Sequence, residues 1–136
     1  MYYTVEGGTR KQRNLVDVAM SCVIGLVDIP EEVIVAIHIG KFESHGVMRV
    51  EEHVYIIEIC GRLEGCEILP IELAKTVFHE MKHVEQMSSD RLVYTDSLQA
   101  FWEGEDHTNT EYFDCPWEIE AYSFEKSAES MLTFAA

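Results

Sequence analysis

Basic residues are scarce in this sequence, and their scarcity limits the partners that the chain can bind. Its 136 residues carry 10 lysines and arginines against 25 aspartates and glutamates, which gives a net charge of −15. Proteins bind nucleic acids mainly through positive side chains that neutralise phosphates. We therefore expect no nucleic-acid partner. The acidity is typical of a soluble protein and leaves the oligomeric state open.

Long apolar stretches and recognisable targeting segments are also missing. No run approaches the roughly 20 apolar residues that a membrane-spanning helix needs. Residues 1–6 have neither the basic start nor the apolar core of a signal peptide. We therefore predict no membrane partner and a cytoplasmic location. No two of the four cysteines form a C-x-x-C pair, so a zinc ribbon is not indicated and free thiols are expected.

Composition and hydrophobic pattern predict a single α+β domain that spans residues 1–136. Hydrophobic residues make up 47% of the chain and charged residues 26%, and no repeat or linker divides it. Apolar periodicity predicts helices over 10–27, 72–87 and 116–132 and strands over 33–39, 47–50, 54–60 and 99–103. This order favours a small antiparallel or mixed sheet.

Three further details of these elements are predicted: a helix cap, a buried helix face and the position of one strand in the sheet. Thr9 and Gln12 form a capping box at the start of the first helix. The buried stripe of that helix is predicted to contain Leu15, Val18, Ala19, Cys22, Val23 and Leu26. The strand over 54–59 is either an edge that can pair with an extended peptide or an interior strand.

One motif inside the second predicted helix carries chemistry. His79-Glu80-Met81-Lys82-His83 reads as the H-E-x-x-H motif of zinc hydrolases. Histidines at positions i and i+4 lie one turn apart on one face, so both imidazoles can bind one Zn²⁺ ion. Glu80 stands beside them as the catalytic general base for a metal-bound water. The apolar stripe of this helix lies roughly opposite the histidines and contains Leu73, Ala74, Val77, Phe78, Met81 and Val84.

The third metal ligand must come from elsewhere in the chain, because catalytic zinc usually has three protein ligands. The metzincin extension of the motif is excluded, since Gln86 and Ser89 stand where it requires Gly and His. A carboxylate at the start of the last helix remains, and the helical wheel alone does not choose between Glu118 and Glu120. Two further candidates precede that helix, His107 and Asp114.

The histidine motif followed by Glu118-Ile119-Glu120-Ala121 resembles the gluzincin pattern, in which a glutamate helix carries E-x-x-A or E-x-x-x-D. Residues 101–104 and 116–122 are similar to small phage-type metallopeptidases and to the compact minigluzincins. The resemblance covers roughly residues 73–125. It implies a zincin-like domain with an N-terminal backing helix, a three- to four-stranded sheet, the H-E-x-x-H helix and a C-terminal glutamate helix.

The resemblance also implies a site and an activity. Glu118, the first residue of E-x-x-A, becomes the third zinc ligand beside His79 and His83, and Glu120 takes the variable position. Tyr122 replaces the Asp of the longer form, so the residue that orients either histidine is left undefined. The implied activity is that of a zinc-dependent metalloendopeptidase acting on a peptide or protein. The donor to the oxyanion is not ranked among Tyr94, His107, Tyr112 and Tyr122.

Two other functions remain open at this point. Glu64-Gly65-Cys66 is similar to the E-G-C segment of peptide deformylases, whose Cys binds the metal, although the spacing and the following residues differ. A latent or inactive metal-binding module that grips a peptide or partner is the other alternative. Residues 127–136 are then either a plug for the cleft or a frayed helix end. An intact Glu80 favours an enzyme, because a purely structural site needs no general base.

Overall fold

The computed structural model describes residues 1–42 and 44–132, which form three helices and nine strands. The helices are α1 (Arg10–Ile24), α2 (Pro70–Ser88) and α3 (Pro116–Leu132). The strands are β1 (Tyr2–Gly7), β2 (Ile34–Gly40), β3 (Gly46–Glu51), β4 (Val54–Cys60), β5 (Arg62–Leu63), β6 (Cys66–Glu67), β7 (Leu92–Tyr94), β8 (Ala100–Trp102) and β9 (Glu105–Asp106). The predicted α+β class is confirmed. Within the described ranges, no helix is long and apolar enough to cross a membrane.

Predictions that fall on five positions lie outside this description. Residue 43 lies between the strands predicted over 33–39 and 47–50, and residues 133–136 belong to the segment considered as a plug. The earlier part of that segment, residues 127–132, belongs to α3. All four cysteines are free, as predicted.

The main sheet is mixed and has the strand order β1-β2-β4-β3. β1, β2 and β4 are parallel, whereas β3 runs antiparallel to β4. The sequence did not predict β1, whose parallel pairing with β2 requires the crossover through α1. β4 lies between β2 and β3, so the alternative that it is an edge strand was wrong and the alternative that it is an interior strand is confirmed. The edge strand on this side of the sheet is β3.

The core lies between one face of this sheet and the helices. The predicted apolar stripe of α2 is buried as expected. The predicted stripe of α1 is partly wrong, because Val18 and Leu26 are 45% and 47% exposed while Val16 and Met20 are fully buried. The capping box of Thr9 and Gln12 is confirmed, and Gln12 also makes the contact that accounts for the buried face. Gln12 Nε2 donates 2.8 Å to the Gly61 carbonyl, which turns the Gln12 face of α1 inward.

A second, smaller cluster fixes the start of α3 beside the end of α2. It forms around the small antiparallel sheet β7-β8-β9 and contains Leu92, Ala100, Trp102, Cys115 and Trp117. Trp102 and Trp117 lie with their ring centroids 6.4 Å apart. Burial of two indoles anchors the first turn of α3, which is where the candidate carboxylates lie.

The edge strand β3 approaches α2 closely at Gly46. A Cβ placed on Gly46 would lie 2.4 Å from Thr76 Cγ2 and 3.3 Å from Glu80 Cγ. Real Cβ atoms do not approach neighbours at 2.4 Å. The absence of a side chain at Gly46 therefore lets β3 lie directly against the helix face that carries the histidine motif.

We expect Gly46→Ala to destabilise the fold by about 1–3 kcal/mol, the usual cost of overpacking a tight contact. Urea unfolding of the purified protein measures this change. Thr76→Ser removes Cγ2, so the double variant should recover most of the loss. Gly25→Ala is the matched control, because its Cβ would meet only the Cys22 carbonyl at 3.7 Å. A Gly46→Ala protein as stable as the control contradicts the close contact.

Candidate metal centre

Helices α2 and α3 bring two imidazoles and one carboxylate together in a buried position. His79 Nε2 lies 3.0 Å and His83 Nε2 lies 3.2 Å from the same oxygen, Glu118 Oε1. Each of the three residues is no more than 8% exposed. Their ligand atoms all lie within 4.8 Å of one another, so the group could hold a metal ion.

The electrostatics of this group follow from burial and mutual hydrogen bonding. Burial disfavours the charge of Glu118, but hydrogen bonds from His79 and His83 outweigh it and hold its pKa down at about 2. Burial likewise opposes the imidazolium forms, yet the contacts with Glu118 raise the pKa of both histidines above the ordinary value. The contacts with Glu118 thus favour the protonated form of each imidazole and the ionised form of the carboxylate.

The outer nitrogens of both imidazoles also have partners. His79 Nδ1 donates 2.9 Å to Glu125 Oε1, and His83 Nδ1 donates 2.8 Å to Gln86 Oε1. Neither role was predicted from the sequence. A signal existed, because Gln86 follows His83 by three residues and Glu125 follows Glu118 by seven, and both spacings return to the same helix face. Glu125 is thus the residue in contact with the outer nitrogen of His79, a position for which the sequence named no residue.

Glu80 lies in the cleft beside this group. It is 6% exposed, and its carboxylate faces Gly46 of the edge strand. Burial raises the pKa of Glu80, and the nearby imidazoles of His83 and His79 offset only part of that effect. The pKa of Glu80 is therefore raised above its ordinary value, mainly by burial.

The other predicted ligand candidates lie elsewhere. Glu120 forms a two-pronged ion pair with Arg91, at 2.9 and 2.7 Å, and points away from the histidines. His107 Nδ1 lies 3.0 Å from Thr110 Oγ1, and its ring packs on Trp117. Asp114 is exposed in a 3₁₀ helix, Tyr112–Asp114. Cys66, the deformylase-like candidate, is exposed on β6 and is outside the cluster.

An open cleft of about 470 Å³ runs over the three clustered residues. One wall is β3 from Gly46 to Val50, and the other contains Tyr94, Tyr112 and Trp117. Tyr112 donates a 3.1 Å hydrogen bond to Glu118 Oε1, and its hydroxyl lies 3.3 Å from that of Tyr122. Of the four donors that the sequence could not rank, Tyr112 is therefore the one with a direct bond to the cluster.

Comparisons of the chain with protein-family models, curated proteins and solved structures found no match. The gluzincin resemblance therefore stays a prediction, based on the motif residues and on their arrangement in the cleft.

The charge coupling within the cluster predicts a distinct pH dependence of stability in chelator-treated protein. The lowered pKa of Glu118, about 2 against an ordinary 4.5, contributes stability above pH 4.5 that is lost on acidification. The raised pKa values of His79 and His83 contribute stability below about pH 6.5 that is lost as pH rises through those values. The wild type should therefore exceed Glu118→Gln by about 2 kcal/mol between those limits.

Urea unfolding at several pH values measures this difference. The difference in stability should shrink as the pH falls below about 4.5, because Glu118 then takes up a proton. It should also shrink as the pH rises through the raised pKa values of His79 and His83, because the buried carboxylate then loses its protonated partners. A difference between wild type and variant that stays constant from pH 4.5 to 8.5 contradicts the coupling.

Proposed function

We propose that this chain is a zinc-dependent peptide-bond hydrolase of the gluzincin type with a zincin-like fold. The observation that carries the proposal is the convergence of His79, His83 and Glu118 on one point of an open cleft, with Glu80 beside them. A buried carboxylate and two imidazoles in contact are costly unless they are paired or bind a cation. The presence of Glu80 in the same cleft supports a catalytic rather than a structural role.

The donor set fits a zinc ion. Two imidazole nitrogens and one carboxylate oxygen form one of the common ligand sets of catalytic zinc, which leaves a fourth position for water. Zinc bonds of about 2.0–2.1 Å at the tetrahedral angle separate two ligand atoms by about 3.3 Å. The nitrogen-to-oxygen distances in the cluster, 3.0 and 3.2 Å, are close to that separation. His79, His83 and Glu118 would hold the ion.

Zinc at this position would supply Lewis acidity that lowers the pKa of water toward neutrality. Glu80 accepts the proton of the attacking water as the water oxygen adds to the peptide carbonyl carbon. Glu80 then gives this proton to the peptide nitrogen as the C–N bond breaks, which yields a carboxylate product and an amine product. The raised pKa of Glu80 supports both steps, since the same carboxyl must bind the proton and release it.

A peptide is the substrate class that the cleft fits best. β3 is paired on one side with β4, and residues 46–50 border the cleft with the other side. An extended peptide can add to such an edge through main-chain hydrogen bonds, which would place its carbonyl groups along the row of clustered residues. This support comes from β3 and not from β4, the strand considered in the sequence analysis.

Tyr112 is the donor that we assign to the oxyanion. Its hydroxyl is in contact with Glu118 Oε1 and is therefore adjacent to the point where substrate and ligands meet. Burial, the hydrogen bond with Tyr122 and the charge of Glu118 raise the pKa of Tyr112, so the phenol stays protonated and able to donate. A donor aimed at developing negative charge stabilises the transition state.

The first test is Glu80→Gln. We expect the variant to bind one zinc per chain like the wild type and to lose about 10²- to 10⁴-fold in hydrolysis rate, because only the proton acceptor is removed. A casein or peptide-library digest with and without chelator measures activity, and chelator competition measures zinc binding. Glu72→Gln is the matched control, because Glu72 is a half-buried carboxylate of α2 that lines an adjoining pocket, which shares His79 and Glu80 with the cleft.

Three outcomes distinguish the possibilities in this test. Chelator-sensitive cleavage by the wild type and by Glu72→Gln, with none by Glu80→Gln, is the expected result. Unchanged cleavage by Glu80→Gln removes Glu80 as the base. Zinc binding without cleavage by any of the proteins favours the metal-binding module over the enzyme.

The second test is Tyr112→Phe. Loss of one oxyanion donor should lower kcat by about 10²- to 10³-fold with little change in zinc affinity, since the hydroxyl acts on the transition state. Steady-state kinetics on a quenched peptide, alongside chelator competition, measure both quantities. Tyr94→Phe is the control, because Tyr94 also lines the cleft and has no hydrogen bond to Glu118. A variant Tyr112→Phe with wild-type kcat excludes this role.

A further inference from the structure

The most deeply buried polar side chain near the cluster is the amide of Gln86. It is 0% exposed, and each of its polar atoms is hydrogen-bonded. Its Nε2 donates 3.0 Å to the Trp117 carbonyl and 3.2 Å to Glu120 Oε1, while Oε1 accepts from His83 Nδ1 at 2.8 Å. A carbonyl and a carboxylate only accept, so the amide nitrogen must face them and the amide oxygen must face His83.

This fixed amide orientation defines the His83 ring. An acceptor at Nδ1 keeps the proton on that nitrogen and leaves Nε2, which faces Glu118 Oε1 at 3.2 Å, as the nitrogen available to a metal. The bond to Trp117 O reaches the residue that precedes Glu118. One amide thus ties the imidazole of α2 to the backbone that carries the carboxylate of α3.

On the side of the Gln86 amide that faces away from His83, Glu120 contacts the amide and Arg91 contacts Glu120. Glu120 Oε1 accepts from both Gln86 and Arg91 Nη1, and Glu120 Oε2 accepts from Arg91 Nη2 at 2.7 Å. The Arg91 guanidinium lies 4.5 Å from the centroid of the Trp102 ring and also bonds Glu103. A chain of contacts therefore runs from the small sheet β7-β8-β9 through Arg91, Glu120 and Gln86 to His83.

We propose that Gln86 is the positioning residue of the metal centre and that Arg91, acting through Glu120, locks its amide in this orientation. The proposal rests on the metal-binding part of the proposed function and not on hydrolysis. It explains why Glu120 is turned away from the cluster: its carboxylate neutralises Arg91 and accepts from the amide. Partners that fix the outer nitrogen of a metal-binding His typically contribute about 10- to 100-fold to metal affinity.

The test compares wild type with Gln86→Met, which keeps the length of the side chain and removes its hydrogen bonds. Chelator competition should show zinc bound about 10- to 100-fold more weakly by the variant. ¹⁵N-edited NMR of the zinc-loaded wild type should show His83 with a slowly exchanging Nδ1 proton, which Gln86→Met loses. His79 is the internal control, because Glu125 still holds its Nδ1.

A second pair of variants keeps the test valid if Gln86→Met fails to fold. Arg91→Met should weaken zinc binding in the same direction but less. Arg13→Met is its matched control, since Arg13 also makes two hydrogen bonds, to the Gly7 and Gly8 carbonyls, but lies outside both the cleft and this chain of contacts. Equal zinc affinity of Arg91→Met and Arg13→Met overturns the role of Arg91.

Unchanged zinc affinity and unchanged His83 ring signals in a folded Gln86→Met protein overturn the role of Gln86. A wild type that binds no zinc contradicts the proposed function instead. In that case the Nδ1 proton of His83 is measured in the metal-free protein. A slowly exchanging Nδ1 proton that is present in the wild type and lost in Gln86→Met supports the positioning role of Gln86. A wild type without a slowly exchanging Nδ1 proton overturns that role.

Discussion

The whole arrangement depends on one shared oxygen, Glu118 Oε1, which accepts from two imidazoles and one phenol in a buried position. Groups of this kind are stable in the interior only when they satisfy one another or bind a cation. The packing of α2 against α3 must therefore be accurate at this point. The Trp102–Trp117 cluster and the Gln86 amide both fix the start of α3 against the end of α2.

The shape of the cleft depends on Gly46, which has no side chain at the point where β3 faces α2. Gly46 lets the edge strand approach Glu80 and Thr76, so that an open strand edge, a buried carboxylate and the clustered residues share one cavity. Each of these groups would then have a separate role in the proposed reaction. The strand edge would hold an extended backbone, Glu80 would move the proton, and Tyr112 would meet the developing charge. None of these groups alone indicates hydrolysis, whereas their common cleft supports it.

Local periodicity explains what the sequence could predict. The histidine pair and the apolar stripe of α2 differ in phase by about half a turn, so a cleft-facing pair on a core helix follows from the sequence alone. The choice between Glu118 and Glu120 could not follow, because both flank the stripe of α3. The choice depends on Arg91, which is distant in sequence from α3. Its ion pair with Glu120 turns that carboxylate away from the histidines. The strand β1 was missed for the same reason, since its parallel partner is nonlocal.

The most direct measurement is an X-ray absorption spectrum at the zinc edge of the loaded wild type, combined with a titration of its stoichiometry. We expect one zinc per chain, bound by two imidazole nitrogens and one carboxylate oxygen with a further oxygen from water. We also expect Glu118→Ala to lose most of this occupancy and Glu120→Ala to lose less. A wild type that binds no zinc, or a bound zinc without imidazole scattering, would contradict a zinc site formed by His79, His83 and Glu118.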